Sequence, residues 1–243
     1  MPGFLSFVRA QYTALPLPQP PANIADGTYV VTGANTGLGF ECTKHLFQMG
    51  AGRIILAVRS RGKGDAALAT IRTETGRHEA GEVWELDLMS LDSVEKFAKK
   101  LETLDRLDAL ISNAGAVMAQ FQVVEGIEVS LLVNVVSTML LTFRALPKLQ
   151  ESAKKFGIQP RLVIVTSNSA LDNDMKSTVE TLQGDVFDAL STEKGFGIFT
   201  HNVLPAWITN ETGKRTQKRV WVDLLKRLDS TGHGVDMSAL KTG

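Results

Sequence analysis

Short apolar runs alternate with longer amphipathic stretches along the chain from residue 28 onward. The short runs are rich in β-branched residues, which is typical of strands buried on both faces of a sheet. We predict such strands over residues 28–32, 53–58, 82–86, 107–112 and 161–166. The periodicity of the intervening stretches predicts helices over residues 37–49, 61–72, 91–101 and 128–151.

The regular alternation of strands and helices predicts the fold class. Strands joined by helices require parallel pairing with right-handed crossovers. We therefore expect an α/β fold with a doubly wound parallel sheet, the Rossmann fold, in the strand order 3-2-1-4-5. In such sheets, ligands bind beyond the carboxyl ends of the strands.

The alternation stops after the fifth predicted strand. Residues 168–195 are polar and irregular, with a short predicted helix over residues 184–190. Residues 216–228 are amphipathic, because Val220, Leu224 and Leu228 lie along one stripe with two further apolar residues. We predict a C-terminal helix there.

Composition excludes several classes of protein. The 26 basic residues balance the 26 acidic ones among 243, so no global basic field favours nucleic acid as a partner. No apolar run reaches the roughly 20 residues of a membrane span. The single cysteine, Cys42, excludes an intramolecular disulfide and is consistent with a cytoplasmic location. The four scattered histidines have no metal-ligand spacing, so we predict no metal site.

A glycine-rich turn directly follows the first strand. Gly33, Gly37 and Gly39 occur between that strand and the first helix. Glycines permit a tight turn and allow backbone amides to approach a pyrophosphate at the positive end of the helix. The strand-turn-helix context predicts a dinucleotide site.

The end of the second strand indicates which dinucleotide binds. An acidic residue there would bind a ribose 2′-hydroxyl and favour NAD. This chain instead has Arg59, and Lys63 follows in the next helix. Two cations near the positive end of a helix are unfavourable unless an anion is present. We therefore predict that NADP is the cofactor, with both side chains near its 2′-phosphate.

Three further motifs follow along the chain: the strand-three end at Asp87, an Asn-Ala-Gly element at residues 113–115 and the strand before Ser167. Together with the glycine turn and Arg59, they resemble the short-chain dehydrogenase/reductase family, in particular a retinol-dehydrogenase-like and WW-domain-oxidoreductase-like branch of filamentous fungi. The resemblance implies NADP-dependent hydride transfer to or from a carbonyl or alcohol of a small apolar metabolite. Many proteins of this branch belong to secondary-metabolite pathways. The residues assigned to cofactor binding are Gly33, Asn35, Thr36, Gly37, Leu38, Gly39, Arg59, Lys63, Asp87, Leu88, Asn113, Ala114 and Gly115.

The resemblance also implies catalytic roles for two residues. Ser167 would orient and polarise the substrate oxygen, with Ser169 as the alternative in a shifted register. Asn134 would support a water in the proton relay.

The family's Tyr-x-x-x-Lys element is missing. The last tyrosine in the chain is Tyr29, and no tyrosine stands four residues before Lys194 or Lys214. Sequence on both sides of residues 194–195 resembles the fungal branch, so we hypothesise an internal deletion there. A native transcript with extra in-frame sequence encoding Tyr-x-x-x-Lys would support this hypothesis, and one without it would contradict it.

These features lead to a prediction for the whole chain. We expect an N-terminal arm over residues 1–26, an NADP-binding Rossmann domain over residues 27–195 and a C-terminal tail over residues 196–243. The deletion would leave the fifth strand as a sheet edge, which a second copy or a partner subunit would cover. It would also lower stability, and a sharp cooperative unfolding transition of a monomer would contradict that expectation. The alternative function is an inactive nucleotide-binding module.

Overall fold

A computed structural model describes residue 12 and residues 19–166, 183–192 and 214–236. A five-stranded parallel sheet forms its centre, in the order β3-β2-β1-β4-β5. This order confirms the predicted doubly wound topology. The strands are β1 (Thr28–Thr32), β2 (Arg53–Val58), β3 (Gly81–Glu85), β4 (Ala109–Ser112) and β5 (Arg161–Ile164).

Helices connect successive strands as predicted, and their ends follow local capping chemistry. The side chains of Ser60 and Ser90 accept hydrogen bonds from amides in the first turns of the second and third helices. Gly50 ends the first helix in the left-handed conformation. The helices are α1 (Gly37–Met49), α2 (Arg61–Thr75), α3 (Leu91–Glu102), α4 (Val129–Phe156), α5 (Val186–Leu190) and α6 (Lys214–Ser230).

The longest helix, α4, contains an irregular segment that we call the π turn, Leu132–Ser137. The Thr138 hydroxyl donates to the Val133 carbonyl, five residues back, at 2.9 Å. By length and composition alone α4 could cross a bilayer, but 83% of its most apolar window is buried inside the protein. Packing in the core therefore accounts for its apolar character.

The sheet separates two hydrophobic cores. Successive residues of a strand point to opposite faces, so Val30 and Ile55 face one core while Val31 and Ile54 face the other. The larger core contains residues of α3, α4, α5 and α6, including Phe97, which packs edge to face on Trp84 at 5.8 Å. The smaller core lies under α1 and α2.

The C-terminal helix α6 belongs to the larger core. Val220, Leu224 and Leu228 are all buried there, which confirms the predicted stripe. The Asp223 carboxylate accepts a hydrogen bond from the Val186 amide at 3.1 Å, at the start of α5. The segment after α6 is joined to α3 and α4, because Arg144 bonds both Glu95 and the Gly234 carbonyl, and His233 approaches Glu95.

Among the described residues, strand β5 lies at the edge of the sheet. Its only partner among the described strands is β4. Val163 and Val165, on one face, are each 42% exposed, whereas Leu162 and Ile164 pack against the larger core. The predicted cover of this edge by a second copy or a partner subunit stays a prediction.

The predicted boundaries differ from the observed ones by a few residues. The strands predicted over residues 82–86, 107–112 and 161–166 lie at Gly81–Glu85, Ala109–Ser112 and Arg161–Ile164. The short helix begins at Val186, because the Asp185 side chain caps it. A two-residue antiparallel hairpin, Val123–Val124 with Ile127–Glu128, was not predicted.

Candidate functional site

A cleft of about 640 Å³ opens at the carboxyl ends of β1 to β4. The residues that follow these four strands form its walls. Eleven of the thirteen predicted cofactor residues line the cleft: Gly33, Asn35, Thr36, Leu38, Arg59, Lys63, Asp87, Leu88, Asn113, Ala114 and Gly115. The other two, Gly37 and Gly39, lie in the first turn of α1, beside the cleft.

Each of the three glycines of the first turn is required for a different steric reason. A side chain on Gly33 would meet the Ala114 Cα at 3.0 Å, and Gly33 has a φ of 66°. A Cβ on Gly39 would come within 2.4 Å of the Gly33 carbonyl oxygen. Gly37 has a φ of 57° and open space where a side chain would stand. The turn therefore packs tightly toward the protein and leaves a concave space outside, which is what a phosphate-binding turn requires.

Thr36 stands immediately before α1 and leaves the helix start open. Its side chain makes no capping hydrogen bond. The first amides of a helix have no intrahelical acceptor, so those of α1 are available to another acceptor at the positive end of the helix.

Thr32, at the end of β1, joins the two central loops of the cleft. Its hydroxyl oxygen accepts hydrogen bonds from the Asn113 amide at 3.0 Å and the Ala114 amide at 2.9 Å. The Asn113 side chain donates to the Thr32 carbonyl at 3.1 Å. These three bonds fix the Asn-Ala-Gly element against the glycine turn.

The β2 side of the cleft carries positive charge without a carboxylate partner. Arg59 and Lys63 are exposed, and within the described ranges neither forms an ion pair. The Arg59 guanidinium instead donates to the Met89 thioether at 3.5 Å, a weak contact. Nine other lysine and arginine side chains of the described residues do form ion pairs: Lys44, Arg53, Arg61, Arg106, Arg144, Lys148, Lys155, Lys226 and Arg227.

The loop after β3 forms the wall next to these two cations, because β3 pairs with β2 and Met89 contacts Arg59. One carboxylate oxygen of Asp87 accepts from the Met89 amide at 2.9 Å, and the Asp87 amide donates to the Ser93 hydroxyl at 3.0 Å. The loop is therefore ordered by its own hydrogen bonds and by α3.

Asn134 lies in the π turn, behind the Asn-Ala-Gly loop rather than among the lining residues. Its side-chain amide donates to the Ala116 carbonyl at 2.7 Å, and its oxygen accepts from the Ala116 amide at 2.8 Å. This pair of bonds holds the cleft loop to α4. The predicted catalytic Ser167 and its alternative Ser169 lie outside the described residues.

Several lining residues were missed by the sequence analysis. Met118 lines the cleft and also packs on the larger core. The π turn brings Val133 into the wall, a position that no helical periodicity indicates. In the sequence, the only indication that such residues line the cleft is that they lie next to predicted ones, as Met89 does after Leu88. The missed residues are Ala57, Val58, Ser60, Leu86, Met89, Ala116, Met118, Val129 and Val133.

Neither of the two tyrosines is among the described residues that line the cleft. Tyr29 lies near the amino end of β1, whereas the cleft opens at the carboxyl end. Burial and the neighbouring Asp108 carboxylate raise the pKa of Tyr29, which makes it a poorer proton donor. Among the described residues, no group of three or more His, Cys, Asp or Glu side chains could hold a metal ion.

The family model for short chain dehydrogenases matches residues 28–179, which include the whole sheet and the cleft. The chain belongs to the short chain dehydrogenase family. Within this family, the short chain dehydrogenase FGM9 of Gibberella zeae is 38% identical over 190 residues, covering 78% of this chain and 54% of that protein. The short chain dehydrogenase atnD of Emericella nidulans is 36% identical, covering 77% of this chain and 59% of that protein.

A solved structure shares the fold of this chain. A crystal structure of an uncharacterized protein from Mycobacterium Paratuberculosis has a TM-score of 0.54 and 26% identity, and the match covers 86% of this chain and 65% of that one. The chain spans between half and three fifths of the length of the two fungal relatives.

Proposed function

We propose that the cleft binds NADP(H) and that the protein serves hydride transfer to or from a carbonyl or alcohol of a small apolar metabolite. The observation that carries the proposal is the pair of exposed cations, Arg59 and Lys63, which line the cleft without a carboxylate partner in the described chain. An anionic group with two or more oxygens, such as a ribose 2′-phosphate, matches them in charge and geometry.

The residues present fit a dinucleotide along the whole cleft. The open side of Gly37 and the uncapped start of α1 suit a pyrophosphate. Asp87 and Leu88 suit the adenine side, and Gly115 the central part of the cleft. When bound, NADP(H) supplies or accepts a hydride at its nicotinamide ring.

Proton transfer would rest on fewer groups than the family resemblance implies. Ser167 is proposed to orient the substrate oxygen, and Asn134 to support a water. Both side-chain groups of Asn134 already bond Ala116, so this residue acts on the site by fixing that loop. No residue of this chain takes the tyrosine role, because the last tyrosine is Tyr29.

The missing tyrosine favours a second candidate function, a nucleotide-binding module without turnover. Loss of a positioned proton donor lowers a rate by about 10²–10⁴-fold. The two candidates share the cofactor site and differ only in chemistry. The predicted role in secondary metabolism and the predicted cytoplasmic location stay predictions.

The test of the cofactor site is a titration of the full chain with NADPH and with NADH. Arg59→Ala is expected to weaken NADPH binding by about 10–100-fold, the cost of one charge-assisted contact, and to leave NADH binding within about twofold. Arg61→Ala is the matched control. It removes the same charge two residues away from Arg59, but the Arg61 side chain is already paired with Asp65.

Three outcomes separate the candidates. NADPH binding with consumption of NADPH on a panel of aldehydes and ketones would support the oxidoreductase. Binding without consumption would support the inactive module. Equal weakening by both arginine variants, or no binding by the unaltered chain, would contradict the proposed NADP(H) site.

A further inference from the structure

The two cleft loops that follow β3 and β4 are both attached to the π turn of α4. The loop after β4 is held by Asn134, whose side chain bonds both the amide and the carbonyl of Ala116. The loop after β3 is held by Ser137, whose hydroxyl donates to the Leu88 carbonyl at 2.7 Å. One irregular turn therefore sets the separation of two cleft walls.

The hydrogen bond between Ser137 and Leu88 is buried in the protein. Ser137 is 0% exposed, and Leu88 is also buried. In a buried setting a hydroxyl–carbonyl bond excludes competition from water, and loss of one partner leaves the other without its hydrogen bond. The contact joins residues 49 positions apart, so no local turn replaces it.

The effect of this bond extends to Arg59. Leu88 stands between Asp87 and Met89, and all three line the cleft. Met89 in turn contacts the Arg59 guanidinium at 3.5 Å. A shift of the Leu88 carbonyl would therefore move the adenine-side wall and the contact of Arg59 together.

We infer that Ser137 is a positioning residue for the adenine side of the cofactor cleft, acting through the Leu88 carbonyl. This inference rests on the proposed NADP(H) site. Ser137 touches no ligand itself; its role is to hold residues 87–89 at the distance from residues 113–116 that the nucleotide needs.

The test measures binding of 2′,5′-ADP, which represents the adenine half of NADP, to the full chain by calorimetry. Ser137→Ala is expected to raise the Kd by about 5–10-fold, because the wall loses its tether. Ser137→Cys keeps a weak hydrogen-bond donor at the same place on a somewhat larger side chain, so its Kd should fall between those of the unaltered chain and Ser137→Ala.

Thr142→Val is the matched control on the same helix. Thr142 is also buried, but its hydroxyl has no hydrogen-bond partner among the described residues. This substitution changes a buried hydroxyl in α4 without touching the cleft loops, so the Kd for 2′,5′-ADP should stay within about twofold. Hydrogen exchange supplies a ligand-free readout, and the Met89 amide should exchange faster in Ser137→Ala and Ser137→Cys than in Thr142→Val.

The outcomes distinguish this inference from the function on which it rests. An unchanged Kd in Ser137→Ala, with unchanged exchange at Met89, would overturn the positioning role alone. If Ser137→Ala does not fold, the same two readings in Ser137→Cys decide the question. No 2′,5′-ADP binding by the unaltered chain would overturn the proposed site and the inference with it.

Discussion

Gly39 shows how a single missing side chain shapes the cleft. A Cβ at this position would lie 2.4 Å from the Gly33 carbonyl oxygen and 2.5 Å from the Asn113 side-chain nitrogen. Gly39→Ala would push the start of α1 away from the β4 loop, at a cost of about 1–3 kcal/mol. We expect a lower free energy of unfolding in urea and weaker NADPH binding.

Gly62 provides the matched control for Gly39→Ala. It lies in the first turn of α2, and a Cβ there meets nothing within 4 Å. Gly62→Ala should leave stability unchanged or raise it by up to about 1 kcal/mol, because alanine loses less backbone entropy. Equal destabilisation by the two substitutions would show that the close approach at Gly39 has no energetic role.

At the same scale, some site residues could be predicted and others could not. Gly33 was predictable because its positive φ and close contact require glycine, and Arg59 because its charge contrasts with the usual acid. Ser137 and Met89 were not predictable. Their side chains are ordinary in sequence, and only the folded distances to Leu88 and Arg59 reveal their contacts.

At the scale of elements, the parallel sheet and its helices follow from hydrophobic periodicity. The π turn of α4 does not, because its irregular hydrogen bonding depends on tertiary partners such as Ala116 and Leu88. The hairpin escaped prediction for a different reason. Its turn places Glu125 and Gly126 at positive φ, and glutamate is not a residue that signals such a conformation.

The helix α6 offers an element-scale prediction, because its burial makes it part of the fold rather than an appendage. Leu224 is fully buried in the larger core. Leu224→Ala should lower the free energy of unfolding by about 2–5 kcal/mol, the usual cost of truncating a core leucine. Chemical denaturation followed by circular dichroism measures this loss.

The control for Leu224 lies two residues away on the same helix. Val222 is 38% exposed, so Val222→Ala should change stability by less than about 1 kcal/mol. A similar small loss for Leu224→Ala would mean that α6 is not packed on the core in solution.

At the scale of the whole molecule, one polar network joins three distant parts of the chain. Arg144 on α4 bonds both oxygens of the Glu95 carboxylate on α3, and it also bonds the Gly234 carbonyl at 3.0 Å. His233 approaches the same carboxylate at 3.2 Å. The segment after α6 is thereby fastened across the two long helices of the larger core.

This network predicts a dependence of stability on pH. Burial alone would raise the pKa of Glu95, but hydrogen bonds and charge from Arg144 and His233 outweigh burial and lower it below the ordinary 4.5. A lowered folded pKa means stability that is present above the unfolded value and lost as pH falls through the folded one. The network should therefore weaken below about pH 4.5, toward the folded pKa.

Glu95→Gln should remove that part of the acid sensitivity and lower the Tm by about 2–4 °C at pH 7. Thermal melts between pH 3 and pH 7 measure both effects. Glu102→Gln, which neutralises an exposed carboxylate on the same helix, is the control. If Glu95→Gln follows the pH profile of the unaltered chain, the network does not contribute to acid sensitivity.

The order of the cleft residues along the chain has a consequence for synthesis on the ribosome. Every described residue that lines the cleft lies between Gly33 and Val133, and the sheet partners of those loops, apart from β5, precede α4. Residues 134–243 take about 5–20 s to translate. We expect nucleotide from the cellular pool to engage the nascent chain within that interval. Ligand would then favour the native arrangement of β1 to β4 before β5 and α6 are made.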